Sequence, residues 1–246
     1  MARFFVPKKD LQGNRGSISG QELDHMRKVL RLRPGDRVTL FDDEGWEHEA
    51  IIRSYTEHLG EVDILKSSKS GRESPVDITL AQALGKGEKM DLVVEKATEL
   101  GVGTIFPFLS SRTIPRLDKE KMARRQTRWR KIALSAAKQS GRARIPEILD
   151  VSDFADLVRK PWQCELKLLF WEGEARQTLT QIRDEQSRLN SLLVVIGPEG
   201  GFSSEEALAA IRHGFKTVRM GERILRTETA ALAALTIAQF LWGDMG

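Results

Sequence analysis

The sequence predicts an α/β protein in which a small β-rich domain precedes a larger domain built on a parallel sheet. Three observations carry that prediction. Strand-like runs crowd the first 70 residues, a Ser/Gly/Pro-containing stretch follows at 67–75, and beyond it apolar strands alternate with amphipathic helices. A length of 246 residues allows one large or two modest domains. With 40% apolar and 30% charged residues, the chain is equipped to bury a real core.

In the first domain, residues 1–70, ARFFV is a short strand candidate. Ser19-Gly20-Gln21-Glu22 reads as a capping box, and Leu23, Met26 and Leu30 follow at helical spacing. The turn Arg33-Pro34-Gly35-Asp36 leads into the strands RVTLF, HEAIIRSY and LGEVDILK, which together suggest a small barrel. The second domain, residues 75–246, opens with the strand DITLAQAL. Met90, Val93, Ala97 and Leu100 then mark a helix ended by Gly101. TIFPFL is the next strand, and a long helix runs from about Asp118 to Ser140. The strand LKLLFW, a helix near 175–188, the strand SLLVVI, a helix from Ser203, the strand KTVRM and a last helix from Thr227 complete the pattern.

Several function classes drop out. No apolar run reaches the length of a membrane span, and the N-terminus lacks the features of a signal peptide, so a cytoplasmic location is expected. The single cysteine, Cys164, leaves no disulfide and no cysteine-type zinc site. His25, His48, His58 and His213 show no metal-ligand spacing, and no metal is expected. No serine sits in a nucleophile-elbow motif.

Net charge (+4) says less than its distribution. Residues 112–144 hold Arg112, Arg116, Lys119, Lys121, Arg124, Arg125, Arg128, Arg130, Lys131, Lys138, Arg142 and Arg144 against only Asp118 and Glu120. Lys121, Arg124, Arg125 and Arg128 share one helical face, beside a packing face of Met122, Trp129, Ile132, Ala133 and Ala136. With so few acids to compensate, nucleic-acid contact is favoured over a merely solvated face.

Gly197-Pro198-Glu199-Gly200-Gly201 stops an apolar strand, and Ser203 with Glu206 signals a helix at once. The glycines admit a ligand close to the backbone at the carboxyl end of a parallel strand. The motif is neither a P-loop nor GxGxxG, and Glu199 argues against a phosphate. A tight turn without ligand is equally compatible with the pattern. In MGERILRTETAALA, residues 220–233, Gly221 turns, Ile224 and Leu225 supply apolar surface, Thr227 caps a helix, and Glu228 suits its dipole. That helix is apolar all round, as expected of one buried or at a subunit interface. GKGEKM, residues 85–90, reads as a loop entering a helix, its lysines adding to a basic rim.

The stretches KGEKMDLVVEKATELGV, RWRKIALSAAKQSGR, IGPEGGFSSEE and MGERILRTETAALAAL occur in that order. Together they resemble the ribosomal small-subunit RNA uridine-N3 methyltransferases, a branch of the SPOUT methyltransferases. The resemblance implies a PUA-like barrel over residues 1–70 and a C-terminal deep trefoil knot. It also implies three loops holding S-adenosylmethionine: one at Leu169–Glu172, with Leu169, Phe170 and Trp171; one at the Gly197–Gly201 corner, with Ile196, Gly197, Glu199 and Gly200; one at Met220–Thr229, with Met220, Gly221, Ile224, Leu225, Arg226 and Thr229. The product would be S-adenosylhomocysteine and the substrate a decoding-region uridine of 16S ribosomal RNA in the 30S subunit. A homodimer would form through the last helix. Uracil N3 becomes nucleophilic as its proton leaves, so a cation must stabilise the uracilate. Arg226 is the first candidate, with Arg3 or Arg112 second, while Glu199 or Glu228 takes the proton or orients an arginine. RNA contacts are expected from Arg3, Lys8, Arg27, Arg31 and Arg33 in the barrel, and from Arg112, Lys121, Arg124, Arg125, Arg128 and Arg142 in the basic block. A different RNA target, or RNA binding without catalysis, are the alternatives.

Overall fold

Alternation of apolar and polar residues builds the first sheet of the computed structural model, which describes residues 1–85, 87–113, 119–173 and 177–246. Lys86, Arg116, Asp118 and Ala175, which enter the sequence reading, lie outside the described residues, as does the side chain of Lys119. Contacts divide the chain into two units. One is Met1–Glu73 with Ala137–Ile145, and the other is Ser74–Ala136 with Pro146–Gly246.

The first unit is a six-stranded mixed sheet made of β1 (Arg3–Phe5), β2 (Leu11–Gln12), β3 (Arg15–Ile18), β4 (Arg37–Phe41), β5 (Trp46–Tyr55) and β6 (Gly60–Lys69). Its order is β1-β4-β5-β6-β3-β2. β1 runs parallel to β4, and the remaining pairs are antiparallel. Two register shifts between β5 and β6 increase the local twist. Phe4, Ile18, Leu40, Ile52 and Val62 fill the core with Leu23 and Met26. β2 and β3 escape the sequence reading because they are too short for an alternating pattern to register.

The expected capping box at Ser19 does not form. Helix α1 (Gly20–Asp24) starts there, but the Ser19 side chain makes no cap bond. Glu22 instead accepts two hydrogen bonds from Lys138 Nζ, at 2.9 and 3.0 Å. A charged long-range partner has outcompeted a local backbone amide. Leu30 is also corrected, being 42% exposed where a packed position was expected. The preceding turn, His25–Val29, is a π-helix, and it rotates Leu30 away from the face of Leu23 and Met26.

Partly buried carboxylates hold the segment 137–145. Glu73 receives the Arg142 guanidinium (Nη2 2.8 Å, Nε 3.1 Å) and the amides of Ala143 and Arg144. Arg142 is 3% exposed, so this residue, expected on RNA, is a structural arginine instead. Arg3 donates to the carbonyls of Gly141 and Arg142, both at 3.0 Å, and pairs with Glu47. Its guanidinium is thereby committed within the first unit.

The second unit is an all-parallel sheet of seven strands: β7 (Asp77–Ala83), β8 (Thr104–Leu109), β9 (Glu147–Ile148), β10 (Ser152–Asp153), β11 (Leu166–Phe170), β12 (Ser191–Ile196) and β13 (Lys216–Val218). The order is β10-β8-β7-β12-β11-β13, with β9 beside β8. Its helices are α2 (Lys89–Glu99), α3 (Lys119–Ser140), α4 (Phe154–Arg159), α5 (Leu179–Glu185), α6 (Ser204–Arg212) and α7 (Thr227–Trp242), the end of α3 counting with the first unit. β12 is buried from Leu192 to Ile196, the continuous apolar run of a strand covered on both faces. Helix α7 buries Ala231, Ala234, Leu235 and Ala238 but leaves Phe240 63% exposed, so one face stays open. Gln239 is buried and donates to the Leu100 carbonyl at 2.7 Å, while its Oε1 accepts from Ser74.

Replacing Arg142 with Ala leaves the partly buried Glu73 carboxylate without its cation. The expected cost is about 3 kcal/mol, read as a lowered denaturant midpoint of the whole chain.

Candidate functional site

Parallel pairing brings four loops together at one end of the second sheet. β12, β11 and β13 are neighbours, and β7 lies on the other side of β12. Their carboxyl ends therefore open side by side at Leu84, Gly197, Trp171 and Arg219. This is where open α/β sheets bind ligands.

The Gly197–Gly201 corner is pinned from several directions. Thr227 Oγ1 donates to the Gly197 carbonyl at 2.6 Å and accepts from Gln82 Nε2 at 2.8 Å. Thr227 was expected to cap α7. Its hydroxyl instead ties α7 to the corner, and Arg226 occupies the cap position without a side-chain cap bond. Arg112 Nη1 donates to the Gly200 carbonyl at 2.8 Å, which brings a sequence-expected arginine to the corner. Gly201 has φ +65°, a conformation strained for any residue with a side chain, and a Cβ there would also displace the Glu172 carboxylate. The capping box of α6 forms as expected: Ser203 Oγ accepts from the Glu206 amide, and Glu206 Oε2 accepts from the Ser203 amide. Glu206 Oε1 also accepts from Ser110 Oγ and the Ser111 amide, both at 2.9 Å. Burial pushes this carboxyl up, but the Ser111 and Ser203 amides and the Ser110 hydroxyl outweigh burial and hold it below its ordinary value.

A pocket of about 280 Å³ opens between the loops after β11 and β13. Phe170, Trp171, Met220, Gly221, Ile224 and Leu225 line it, all of them expected from the sequence. Ile224 is 87% exposed, an unusual place for a large apolar side chain. Among the described residues, no hydrogen bond engages the backbone groups of Met220–Leu225, and Gly221 holds φ +73°. The pocket thus offers apolar and aromatic walls with free backbone donors and acceptors. Glu172, Arg219, Glu222, Arg223 and Ala230 also line it. Glu172, Glu222 and Arg223 fall inside the loops Leu169–Glu172 and Met220–Thr229 that the resemblance implied, and Arg219 and Ala230 lie one residue outside them.

Leu169 and Ile196, two of the expected cofactor residues, are buried at the ends of β11 and β12 and do not line the pocket. Glu199, Gly197, Gly200, Arg226 and Thr229 belong to the corner and the start of α7, beside the pocket and outside its lining. Arg226 and Thr229 are exposed, and no described residue holds the Arg226 guanidinium. Glu199 and Glu228 meet at Lys89, whose Nζ lies 2.9 Å from Glu199 Oε1 and 3.6 Å from Glu228 Oε2.

The basic face of α3 is less open than its sequence suggests. Arg124 pairs with Glu120, and Arg128 pairs with Glu88 and Asp91 at the start of α2. The compensating acids of Arg128 come from another helix, which a reading along the chain does not see. Arg125 has no ion pair among the described residues, while Lys121 has a partner. In the first unit, Lys8 pairs with Asp42 and Glu44, and Arg27 lies over the Tyr55 ring at 5.2 Å. Arg31 and Arg33 are exposed. Among the described residues no His/Cys/Asp/Glu group could hold a metal ion, and no helix is long and apolar enough to cross a membrane.

Residues 72–239 match the family model of an RNA methyltransferase domain, and residues 18–65 that of an RNA methyltransferase PUA domain. Ribosomal RNA small subunit methyltransferase E of Bacillus subtilis is 31% identical over 98% of this chain and 96% of its own length. The enzyme of the same name from Aquifex aeolicus is 35% identical over 93% and 96%. The crystal structure of the Neisseria gonorrhoeae enzyme of that name, bound to S-adenosylmethionine, is similar with a TM-score of 0.88 and 35% identity, covering 100% of both chains. A putative methyltransferase from Legionella pneumophila, also with S-adenosylmethionine, has a TM-score of 0.87 and 37% identity over 98% of each chain.

Glu206 carries a stability prediction. A carboxyl held low in the folded state contributes stability above its unfolded value, near 4.5, and loses it as pH falls through the folded value. Glu206→Gln is expected to cost about 2 kcal/mol at neutral pH and to flatten the acid dependence of the denaturation midpoint.

Proposed function

Because this chain belongs to the family of ribosomal RNA small subunit methyltransferase E, we propose that it methylates N3 of a uridine in 16S ribosomal RNA, using S-adenosylmethionine. The observation that carries the reading is the pocket beside the glycine corner, in a chain similar end to end to structures that hold that molecule. The pocket's character suits it. An adenine needs an apolar slot and backbone hydrogen-bonding groups, and Trp171, Ile224, Leu225 and the unbonded Met220–Leu225 backbone offer both. When bound, S-adenosylmethionine supplies an already activated methyl group.

The chain's own residues then have two tasks. One is to place the uracil, which is positioning work. The other is to help N3 lose its proton: a carboxylate that takes it becomes neutral, and the uracil carries the charge over N3, O2 and O4. Arg226, exposed at the start of α7 and held by no described residue, is the cation assigned to that charge. Arg112, on the Gly200 carbonyl, is the second. Arg3 is less suited, since carbonyls and Glu47 occupy it. Glu199 and Glu228 are the carboxylates within the same neighbourhood.

In this reading residues 1–70 form the PUA-like domain that holds RNA, and residues 75–246 form the SPOUT domain with its C-terminal knot. Arg31, Arg33 and Arg125 contact phosphate, which makes binding salt-sensitive. The half-exposed face of α7, with Leu232, Ile237 and Phe240, joins a second copy in a homodimer. The protein works in the cytoplasm on the 30S subunit.

The test is transfer of labelled methyl from S-adenosylmethionine to small subunits lacking their own 3-methyluridine, with the product nucleoside identified. 3-Methyluridine at one site is expected, and label in another nucleoside or none overturns the reading. Arg226→Ala is expected to keep the fold and lower turnover roughly 100-fold; near-normal turnover removes that role from Arg226.

A further inference from the structure

Two of the carboxylates at the corner come from distant parts of the chain, and a single side chain joins them. Lys89 opens α2, Glu199 sits in the corner after β12, and Glu228 lies in the first turn of α7. The Lys89 ammonium contacts both, at 2.9 and 3.6 Å. Lys89 and Glu199 are each about one-third exposed and Glu228 half as much, so the group is partly shielded from water. Glu228 Oε2 is buried and makes no hydrogen bond to any described residue, and Lys89 is the cation beside it.

The loop before Lys89 is shaped for this arrangement. A Cβ on Gly85 would fall 2.7 Å from Glu199 Oε1 and 3.1 Å from Oε2. Gly85 does not have a positive φ, so its lack of a side chain serves space and not backbone conformation. The Glu199 carboxylate lies against bare backbone on one side and Lys89 on the other.

We propose that Lys89 is a positioning residue of the methyl-transfer centre: its ammonium gathers Glu199 and Glu228 into one group and keeps both carboxylates charged and fixed between the corner and α7. The inference rests on the function proposed above and adds a residue to it. Without a cation, two neighbouring carboxylates repel, and one of them takes up a proton. A protonated carboxyl cannot receive the uracil N3 proton, and a repelled one leaves its place. The bond it donates to Glu199, the largest influence, pushes the lysine itself up, so Lys89 stays charged wherever the carboxylates are ionised. Among the described residues the other charges nearby have places of their own, and Glu199 has a further partner besides Lys89. Arg112 is engaged by the Gly200 carbonyl, Arg226 is exposed at the cap of α7, and Glu88 and Asp91 on α2 are paired with Arg128.

The experiment uses the full chain with Lys89→Met, Lys89→Arg and Gly85→Ala. In the free protein, ¹³C-carboxyl glutamate resonances are titrated by NMR, with Glu199→Gln and Glu228→Gln identifying the two signals. In Lys89→Met, one of the two is expected to titrate about one pH unit higher, and Lys89→Arg is expected to restore it. Turnover on small subunits is expected to fall at least about tenfold in Lys89→Met. The acid limb of its pH profile moves upward, and affinity for S-adenosylmethionine stays within about threefold, a change of under 1 kcal/mol. Gly85→Ala, which displaces Glu199 from the lysine, is expected to act in the same direction. Unchanged carboxylate titration in Lys89→Met overturns the proposal. So does a loss of turnover matched by loss of cofactor affinity and thermal stability, with an unshifted pH profile. If the wild type methylates nothing, the assigned reaction fails while the titration still decides the role of Lys89.

Discussion

The hydroxyl of Thr227 on the Gly197 carbonyl, backed by Gln82, is the contact on which the site depends. It joins the end of the central strand β12 to the first residue of the last helix. Gln82 carries the link into β7, whose register with β12 places it opposite Ile196. Burial makes the link demanding. Gln82 is 1% exposed and Thr227 6%, and Gln82 Nε2 donates to both Thr227 Oγ1 and the Ala83 carbonyl, while its Oε1 has no partner among the described residues. With α7 tied down there, the segment from Met220 to Leu225 must cross from β13 to that anchor. Among the described residues it does so without internal hydrogen bonds, and the result is a pocket wall with unused backbone groups.

Charge in this protein follows the same logic of long-range partnership. Glu73 orders the segment after α3 by receiving one guanidinium and two amides. Glu206 joins α6 to the loop after β8 through Ser110 and Ser111. Lys89 joins α2, the corner and α7. Each is a charged group with at least two partners from distant positions. Such groups resist substitution more than exposed pairs such as Lys28 with Asp24, which screening and side-chain entropy reduce to little. Arg226 stands apart from them. It lies next to the most constrained residue of the site and is held by no described group, which leaves its charge available to something that binds.

Much of this was legible from the sequence, and residues show why. Leu192–Ile196 and Thr104–Leu109 are short apolar runs bounded by turn residues and rich in β-branched or aromatic side chains, and that length and composition identify them as buried strands. Ser203 and Glu206 form their capping box because both partners lie within one helical turn. Met220, Gly221, Ile224 and Leu225 lie in a family motif, Phe170 and Trp171 in a loop the resemblance implies, and the parallel order β12-β11-β13 brings them to one pocket. Short strands such as Leu11–Gln12 and Ser152–Asp153 left no periodic trace.

By itself the sequence determined the α/β architecture, the glycine corner, the apolar and basic stretches and the family, because these are written in local spacing and in ordered motifs. Only the tertiary structure decided which charges are free. Glu22 serves Lys138 instead of its own helix, Arg142 is buried on Glu73, Arg128 meets acids of α2, and Thr227 holds the corner in place of capping. The physical reason is that a hydrogen bond or ion pair is chosen by distance in space. Residues 110 positions apart, such as Lys89 and Glu199, become neighbours only when the sheet between them is assembled.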